Sequence, residues 1–374
     1  MSAGIYIHIP FCAHKCPYCD FYSVAYDDGL CSKYIAAIGR ETEAFPPLSA
    51  DTIYFGGGTP SLLRTEHIEC MLNAVRSRFN IADGAEITLE CNPATCDREK
   101  LRDLHSLGIN RLSVGVQSTD DAVLQAAGRL HNGDQALRTL SDAALAGFDN
   151  VSADLMIALP QDDGRALDRS ISDVTSTGAK HVSAYLLKLM PQTPFGEQAP
   201  DGLPDDDDQA LLYEHCCNAL EHAGFRQYEI SNFALAPEYK SRHNLKYWDC
   251  GEWVGLGAAA HSCLSGMRYS HKRDLRAFTE TFSDSAALAQ DSYISLLDFE
   301  GKLDADDFIM LKLRTADGLS LAELYSKFNF KFNKQKVEFI EQIAAAGLAI
   351  FNGKTLTLTR KGLLVSNSII VELI

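Results

Sequence analysis

Three cysteines, Cys12, Cys16 and Cys19 in the segment FCAHKCPYCDF, are the residues whose type and spacing best suit chemistry. The C-x3-C-x2-C spacing supplies three thiolates from one loop. A closed cysteine site takes four ligands, whether tetrahedral zinc or a fully ligated iron–sulfur cube. Three leave one metal corner without a protein ligand, so a 4Fe–4S cluster held here keeps one iron open to a substrate or cofactor. Two blander readings compete. A zinc knuckle completed by His14 or Cys31 would more often bring a second Cys or His pair, and none follows at that spacing. Buried thiols would not need Pro10 and Pro17 to restrict the loop.

A second motif, GGGTPS from Gly56 to Ser61, follows an apolar run. Glycine lets the backbone approach a ligand closely. No Gly-Lys-Ser/Thr follows, so this is not a P-loop, and the glycines lack the dinucleotide spacing. Beside an open cluster, the motif suits a cofactor that chelates iron through amino and carboxylate groups and presents the amino group to backbone and hydroxyls.

The elements that position these motifs alternate. Strand-like runs start at Ile5, Thr52, Glu86, Arg111, Asn150 and His181, with amphipathic helical segments between them. This rhythm predicts a parallel sheet with crossover helices, either a β/α barrel or a doubly wound sheet. Polar residues close several runs: Gly56 to Thr59, Glu90 and Gln117, with Asp154 inside the fifth. The cysteine loop follows the first run. In β/α barrels the carboxyl ends of the strands build the active site, so a partial (β/α)6 TIM-like barrel over residues 1–235 places loop and polar residues on one rim.

Beyond residue 200 the pattern changes. DGLPDDDD, Asp201 to Asp208, reads as a solvated loop whose charge favours the helix after it. Cys216 and Cys217 read as packing residues within that helix. Residues 236–296 read as a linker carrying HNLKYW, His243 to Trp248, and then GLGAAAHS. A histidine beside aromatics can offer a haem an axial imidazole and flat apolar surfaces; a packed, hydrogen-bonded histidine is the alternative. Residues 297–374 read as three helices, a hairpin turning at Asn352-Gly353 and a closing helix, a small α+β winged-helix-like domain.

Bulk properties bound the function. Net charge is −16 over 374 residues, which argues against nucleic acid as the main partner. Residues 301–374 hold ten Lys/Arg against eight Asp/Glu, a balance of +2 that leaves −18 on residues 1–300 and marks a composition shift. No run of about eighteen apolar residues predicts a membrane span. The N-terminus enters a strand without an export signal. Eleven cysteines without a paired framework suit a reducing compartment, so a cytoplasmic location is expected.

Together, the cysteine loop, the GGGT motif and the six repeats resemble the radical S-adenosylmethionine superfamily. YIHIPFCAHKCPYCDF, FGGGTPS, LECNP, SVGVQS and DLMIALP are similar to the oxygen-independent coproporphyrinogen III oxidase group, over nearly the whole chain. The resemblance implies that a reduced cluster donates an electron to S-adenosylmethionine and releases a 5′-deoxyadenosyl radical. By motif match, it implies Cys12, Cys16 and Cys19 as cluster ligands. It also implies Tyr6, Tyr18, Gly57, Gly58, Thr59, Glu90, Gln117, Arg129 and Asp154 as cofactor contacts.

Two departures set the chain apart from the oxidases. Phe21 stands where they carry a further cysteine, and Cys12 leaves almost no room for their N-terminal extension. HNLKYW fits the H-N-x-x-Y-W pattern of the group's haem chaperones, which makes His243 the first haem-ligand candidate and His261 the second. The resemblance thus implies a haem carrier rather than a coproporphyrinogen-oxidising enzyme. It implies haem-acceptor proteins such as respiratory haem enzymes as partners, and an electron donor such as flavodoxin or ferredoxin.

Overall fold

Six strands run in one direction and in chain order across the centre of the computed structural model, which describes residues 2–283 and 290–374. They are β1 (Ala3–Ile9), β2 (Ser49–Gly57), β3 (Asn80–Cys91), β4 (Arg111–Gln117), β5 (Asn150–Ile157) and β6 (His181–Leu186). Each pairs in parallel with the next. The helices α1 (Asp28–Glu41), α2 (Thr65–Arg78), α3 (Arg98–Ser106), α4 (Gly133–Leu145) and α5 (Arg165–Ser176) make the crossovers. Because the strand order never reverses, there is no switch point of the kind a doubly wound sheet requires. The sheet is an arc of a β/α barrel, as the sequence rhythm predicts. Ile5, Ile7, Ile9, Ile53, Phe55, Leu89, Leu112, Val114, Leu155 and Ile157 are buried beneath the helices. Burial of this apolar layer, at roughly 25 cal/mol per Å², is the main force holding helices to sheet.

Both edges of the arc carry further strands. β8 (Asn232–Ala234) adds antiparallel to β6, and β7 (Arg226–Gln227) adds antiparallel to β8. β9 (Trp253–Leu256) adds parallel to β1, and β10 (His261–Leu264), β11 (Met267–His271) and β12 (Leu297–Lys302) continue antiparallel beyond it. Residues 236–296, expected as a linker, thus contribute β9, β10 and β11 to the main sheet, and the start of the segment assigned to the C-terminal module contributes β12. Strands this short give too little alternation to stand out in sequence. Part of the expected linker, residues 284–289, lies outside the described residues.

The C-terminal module proper contains α8 (Ala305–Lys312), α9 (Leu321–Phe328), α10 (Lys334–Ala345) and α11 (Ser366–Leu373). A small sheet of β13 (Leu319–Ser320), β14 (Ala349–Phe351) and β15 (Thr355–Leu358) completes it. Its core is its own, built on Phe308, Ile309, Leu313, Ile340 and Leu356. Asn352 and Gly353 turn the hairpin, Gly353 at φ 79° where a side chain would be strained. Lys312 Nζ reaches Asp249 at 2.8 Å and Arg268 reaches Asp307 at 2.9 Å, tying module to sheet. The acidic stretch caps a helix as expected: Asp205 accepts from the Asp208 amide, and Asp206–His222 follows with Cys216 and Cys217 fully buried.

One buried ion pair locks the outer strands to the barrel. His271 Nε2 lies 2.7 Å from Glu41 Oε1 with both side chains enclosed, and Glu41 Oε2 accepts from the Gly257 amide at 2.7 Å. Burial alone would depress the imidazole, but Glu41 outweighs it and raises the His271 pKa above 6.5. The pair's stabilisation is therefore fully present below 6.5 and lost as pH rises through the higher folded value. His271→Ala, which strands a buried carboxylate, is expected to cost about 3–5 kcal/mol in denaturant unfolding below pH 6.5. The deficit should shrink as the pH is raised.

Candidate cofactor and metal site

The cysteine loop is pinned to the rim by backbone pairing. The Val24 amide donates to Pro10 O at 2.8 Å, Tyr26 to Cys12 O at 3.1 Å and Cys19 to Cys16 O at 3.1 Å. From the glycine motif, the Gly58 amide donates to Ile9 O and the Thr59 amide to Phe11 O, both at 2.8 Å. A Cβ on Gly58 would lie 2.8 Å from each of those two carbonyls and 3.1 Å from Cys12 Sγ. Gly57 sits at φ 110° and its amide donates to Glu90 Oε2 at 3.1 Å. The amides of this motif are thus spent on protein. What it can offer a ligand is carbonyl oxygen, an acceptor for an ammonium group.

Every residue implied as a cluster ligand or cofactor contact lines one cavity of about 510 Å³ at the carboxyl ends of the strands, except Tyr6; the first haem-ligand candidate, His243, also lies outside it. Arg129 Nη1 lies 3.4 Å from Cys16 Sγ and Nη2 donates to Gly115 O at 3.0 Å, while its buried Nε has no partner. Glu90 accepts from the Tyr54 hydroxyl at 2.9 Å, and Asp154 from the Ser113 hydroxyl at 2.7 Å. Burial pushes the Glu90 carboxyl up to about 7 and raises that of Asp154. β4 ends on Gln117 at φ 66°, a left-handed conformation that is rare off glycine and common at functional sites.

The donor set fits an amino-acid-bearing, cationic cofactor beside a thiolate-bound cluster. An underused buried guanidinium suits a carboxylate. Two desolvated carboxyls suit an ammonium or ribose hydroxyls. A zinc knuckle would need a fourth ligand. Of the two offered, Cys31 is buried in α1 with its sulfur 3.7 Å from His67, and His14 lines the same cavity as the three cysteines.

The two residues outside the cavity lie beneath it. Tyr6 stacks on Tyr54 and bonds His8 at 3.0 Å. His243 belongs to α7 (Arg242–Trp248), which plugs the opposite, amino-terminal end of the barrel. The amides of Arg242 and His243 both donate to buried Glu86 at 3.0 Å, so a carboxylate caps the helix N-terminus. The His243 ring is fully enclosed. Its Nδ1 lies 2.8 Å from Thr52 Oγ1 and its Nε2 2.8 Å from the Tyr247 hydroxyl. Burial depresses its pKa to about 3. Neither nitrogen is free for a haem iron in this arrangement; the ring is packed and hydrogen-bonded, the alternative the sequence left open. His261 is exposed and pairs with Glu300 at 2.9 Å, also outside the cavity.

Sequence reasoning missed Tyr54, Ser113, Met156, Tyr185, Leu187 and Met190, which line the same cavity. Ser113 and Met156 lie two positions from the lining residues Gly115 and Asp154 on their own strands, so for these two strand alternation is a usable signal.

Comparison with known proteins follows the same outline. The radical SAM superfamily model matches residues 6–174 and the HemN C-terminal domain model residues 304–365. The heme chaperone HemW of Lactococcus lactis subsp. lactis is 30% identical over 367 residues, 97% of this chain and 95% of the relative. The heme chaperone HemW of Mycobacterium tuberculosis is 33% identical over 385 residues, 99% and 94% of the two chains. Among solved structures, the radical SAM coproporphyrinogen III oxidase HemN of Escherichia coli superposes with a TM-score of 0.84 at 20% identity. That match covers 99% of this chain and 89% of the other.

Because the glycine motif holds the loop by contact, Gly58→Ala is expected to displace Cys12 and lower iron incorporation several-fold on anaerobic reconstitution. Iron analysis of folded protein checks this. Gly39→Ala, where a Cβ meets only Ala74 Cβ at an ordinary 3.9 Å, is the control for adding a methyl group without a clash.

Proposed function

We propose, from the premise that this chain belongs to the HemW family of haem chaperones within the radical SAM superfamily, that it carries haem under the control of a bound cluster and S-adenosylmethionine. It passes the haem to acceptor proteins such as respiratory haem enzymes. The observation that carries this reading is the convergence of Cys12, Cys16, Cys19, Arg129, Glu90 and Asp154 on one cavity at the barrel's carboxyl rim. Cys12, Cys16 and Cys19 would hold three irons of a 4Fe–4S cluster. Arg129 would pair with the cofactor's carboxylate, and the carbonyls of Gly57 to Thr59 would take its ammonium. Glu90, Gln117 and Asp154 remain for the ribose hydroxyls and adenine edge. With both groups bound and an electron delivered by a flavodoxin or ferredoxin, the site supplies one-electron chemistry at a sulfonium.

The haem seat in this reading is the mouth of the cavity rather than His243. Phe21 is 60% exposed beside the cysteine loop and Tyr185 is 43% exposed across from it. Met156, Leu187 and Met190 line the wall below. Aromatic and aliphatic surface of this kind suits the faces of a macrocycle. Lys15 and Lys188, both exposed at the same rim, suit its propionates. Phe21 also replaces the cysteine expected of the oxidases, which favours holding a tetrapyrrole over oxidising one. Among the described residues no helix is long and apolar enough to cross a membrane. Haem delivery to a membrane enzyme would therefore run through contact with that protein, from a cytoplasmic carrier.

Haem titration followed in the Soret band tests the seat. Phe21→Asp is expected to weaken haem binding roughly tenfold, by loss of apolar contact. His243→Ala should keep the Soret spectrum and affinity while lowering the melting temperature. The reverse pattern would move haem to the HNLKYW helix. Protoporphyrinogen formation in an anaerobic assay with coproporphyrinogen III would instead make the chain an oxidase.

A further inference from the structure

The HNLKYW helix, which the haem-seat reading leaves without a role, is wired to the cavity. Four buried hydrogen bonds in series join its N-cap to Asp154. The Ser241 amide donates to the Tyr228 hydroxyl at 3.2 Å, and that hydroxyl lies 2.8 Å from His181 Nε2. His181 Nδ1 lies 2.7 Å from Ser152 Oγ, which donates to Asp154 Oδ1 at 3.0 Å. Ser241, His181 and Ser152 are 0% exposed and Tyr228 4%. Asp154 faces the cavity.

The ends fix the direction of every proton. The amide can only donate and the carboxylate can only accept. A buried phenol hydrogen without an acceptor is costly, and among the described residues His181 Nε2 is the acceptor the structure provides. The imidazole therefore carries its proton on Nδ1, the Ser152 oxygen accepts it, and the Ser152 hydrogen is directed to Asp154 at 3.0 Å, the nearer partner against Ser183 Oγ at 3.4 Å. Burial keeps His181 neutral, which this tautomer requires. Without the phenol the tautomer is no longer held. Ser152 can then turn its hydrogen to Nδ1, and Asp154 loses a donor. The second cavity carboxylate has a parallel link: Tyr54, which donates to Glu90, stacks on His243 of the same helix with ring centroids 5.1 Å apart.

We infer that Tyr228 and His181 are positioning residues for Asp154, and that through them the order of the HNLKYW helix is coupled to occupancy of the cavity. This rests on the reading that the cavity takes S-adenosylmethionine. The coupling is reciprocal: if ligand at Asp154 tightens the chain, it tightens the Ser241 cap, and loosening the chain weakens the ligand by the same factor.

The test uses the full chain, reconstituted anaerobically, with S-adenosylmethionine as probe. Hydrogen exchange of residues 241–248 is measured with and without it, alongside its dissociation constant, for wild type, Tyr228→Phe and Tyr213→Phe. Tyr213 is the control. It is an equally buried tyrosine whose hydroxyl donates to Ile230 O at 2.8 Å, outside the chain. The expected result is slower exchange at 241–248 on adding the probe to wild type and Tyr213→Phe. Tyr228→Phe should lose that response and bind the probe about fivefold more weakly. Unchanged exchange in wild type, or equal effects of the two substitutions, overturns the inference. The wild-type comparison decides even if Tyr228→Phe fails to fold. A wild type that binds no probe at all removes the cofactor reading first, and this inference with it.

Discussion

The contact on which the site depends is a short stretch of backbone pairing between the glycine motif and the segment leading into the cysteine loop. Two amide-to-carbonyl bonds at 2.8 Å, from Gly58 and Thr59, bring the chains together closely enough to exclude any side chain at position 58. A loop of this length carrying three cysteines would otherwise be among the most mobile parts of the molecule. Pinned at one end by β2 and at the other by the return through Val24 and Tyr26, it presents its sulfurs toward the same cavity as the buried carboxylates. The glycines therefore serve twice. They let the loop approach, and by spending their amides on protein they leave carbonyl oxygen as what a ligand can meet.

The barrel interior below the cavity is polar, which is unusual enough to need a physical reason. Buried Arg111 opens its strand and buried Glu86 lies midway along its own, and His181, Ser152, Thr52 and His243 are buried polar residues of the same sheet and the helix against it. Isolated, each would be costly to bury. Hydrogen bonds between Ser152 and His181, between Thr52 and His243 and from the helix amides to Glu86 offset much of that cost and impose a particular geometry, while Arg111 Nε has no partner among the described residues. The HNLKYW helix completes this network by contributing amides to Glu86 and Tyr228 and an imidazole to Thr52. The histidine of that motif is packed and hydrogen-bonded, the alternative its sequence leaves open, and its helix forms a structural floor.

Most of the cavity was legible because its residues sit at strand ends, where a break in an apolar run stands out. Glu90, Gln117 and Asp154 are conspicuous against Ile, Val and Leu, and the cysteine spacing is conspicuous anywhere. The apolar lining was not legible, since Met156 and Leu187 look like core until the inward face of each strand is known. The packing of His243 was not legible for a related reason: spacing shows that a histidine lies beside aromatics but not which way the helix faces. The edge strands from Trp253 onward were missed because pairing with β1, a partner roughly 250 residues away, forms them rather than any local periodicity. The acidic run before Asp206 and the Asn352-Gly353 turn were read correctly, being governed by helix capping and turn chemistry within a few residues.

The central claim is that the three loop cysteines hold a cluster whose remaining iron takes S-adenosylmethionine within reach of Arg129 and Glu90. Electron paramagnetic resonance of the dithionite-reduced, anaerobically reconstituted chain, recorded before and after addition of the sulfonium, addresses it directly. The account predicts about four irons per chain and a reduced-cluster signal whose g-values shift on addition. A chain that takes up no iron, or a cluster signal indifferent to the sulfonium, would contradict it.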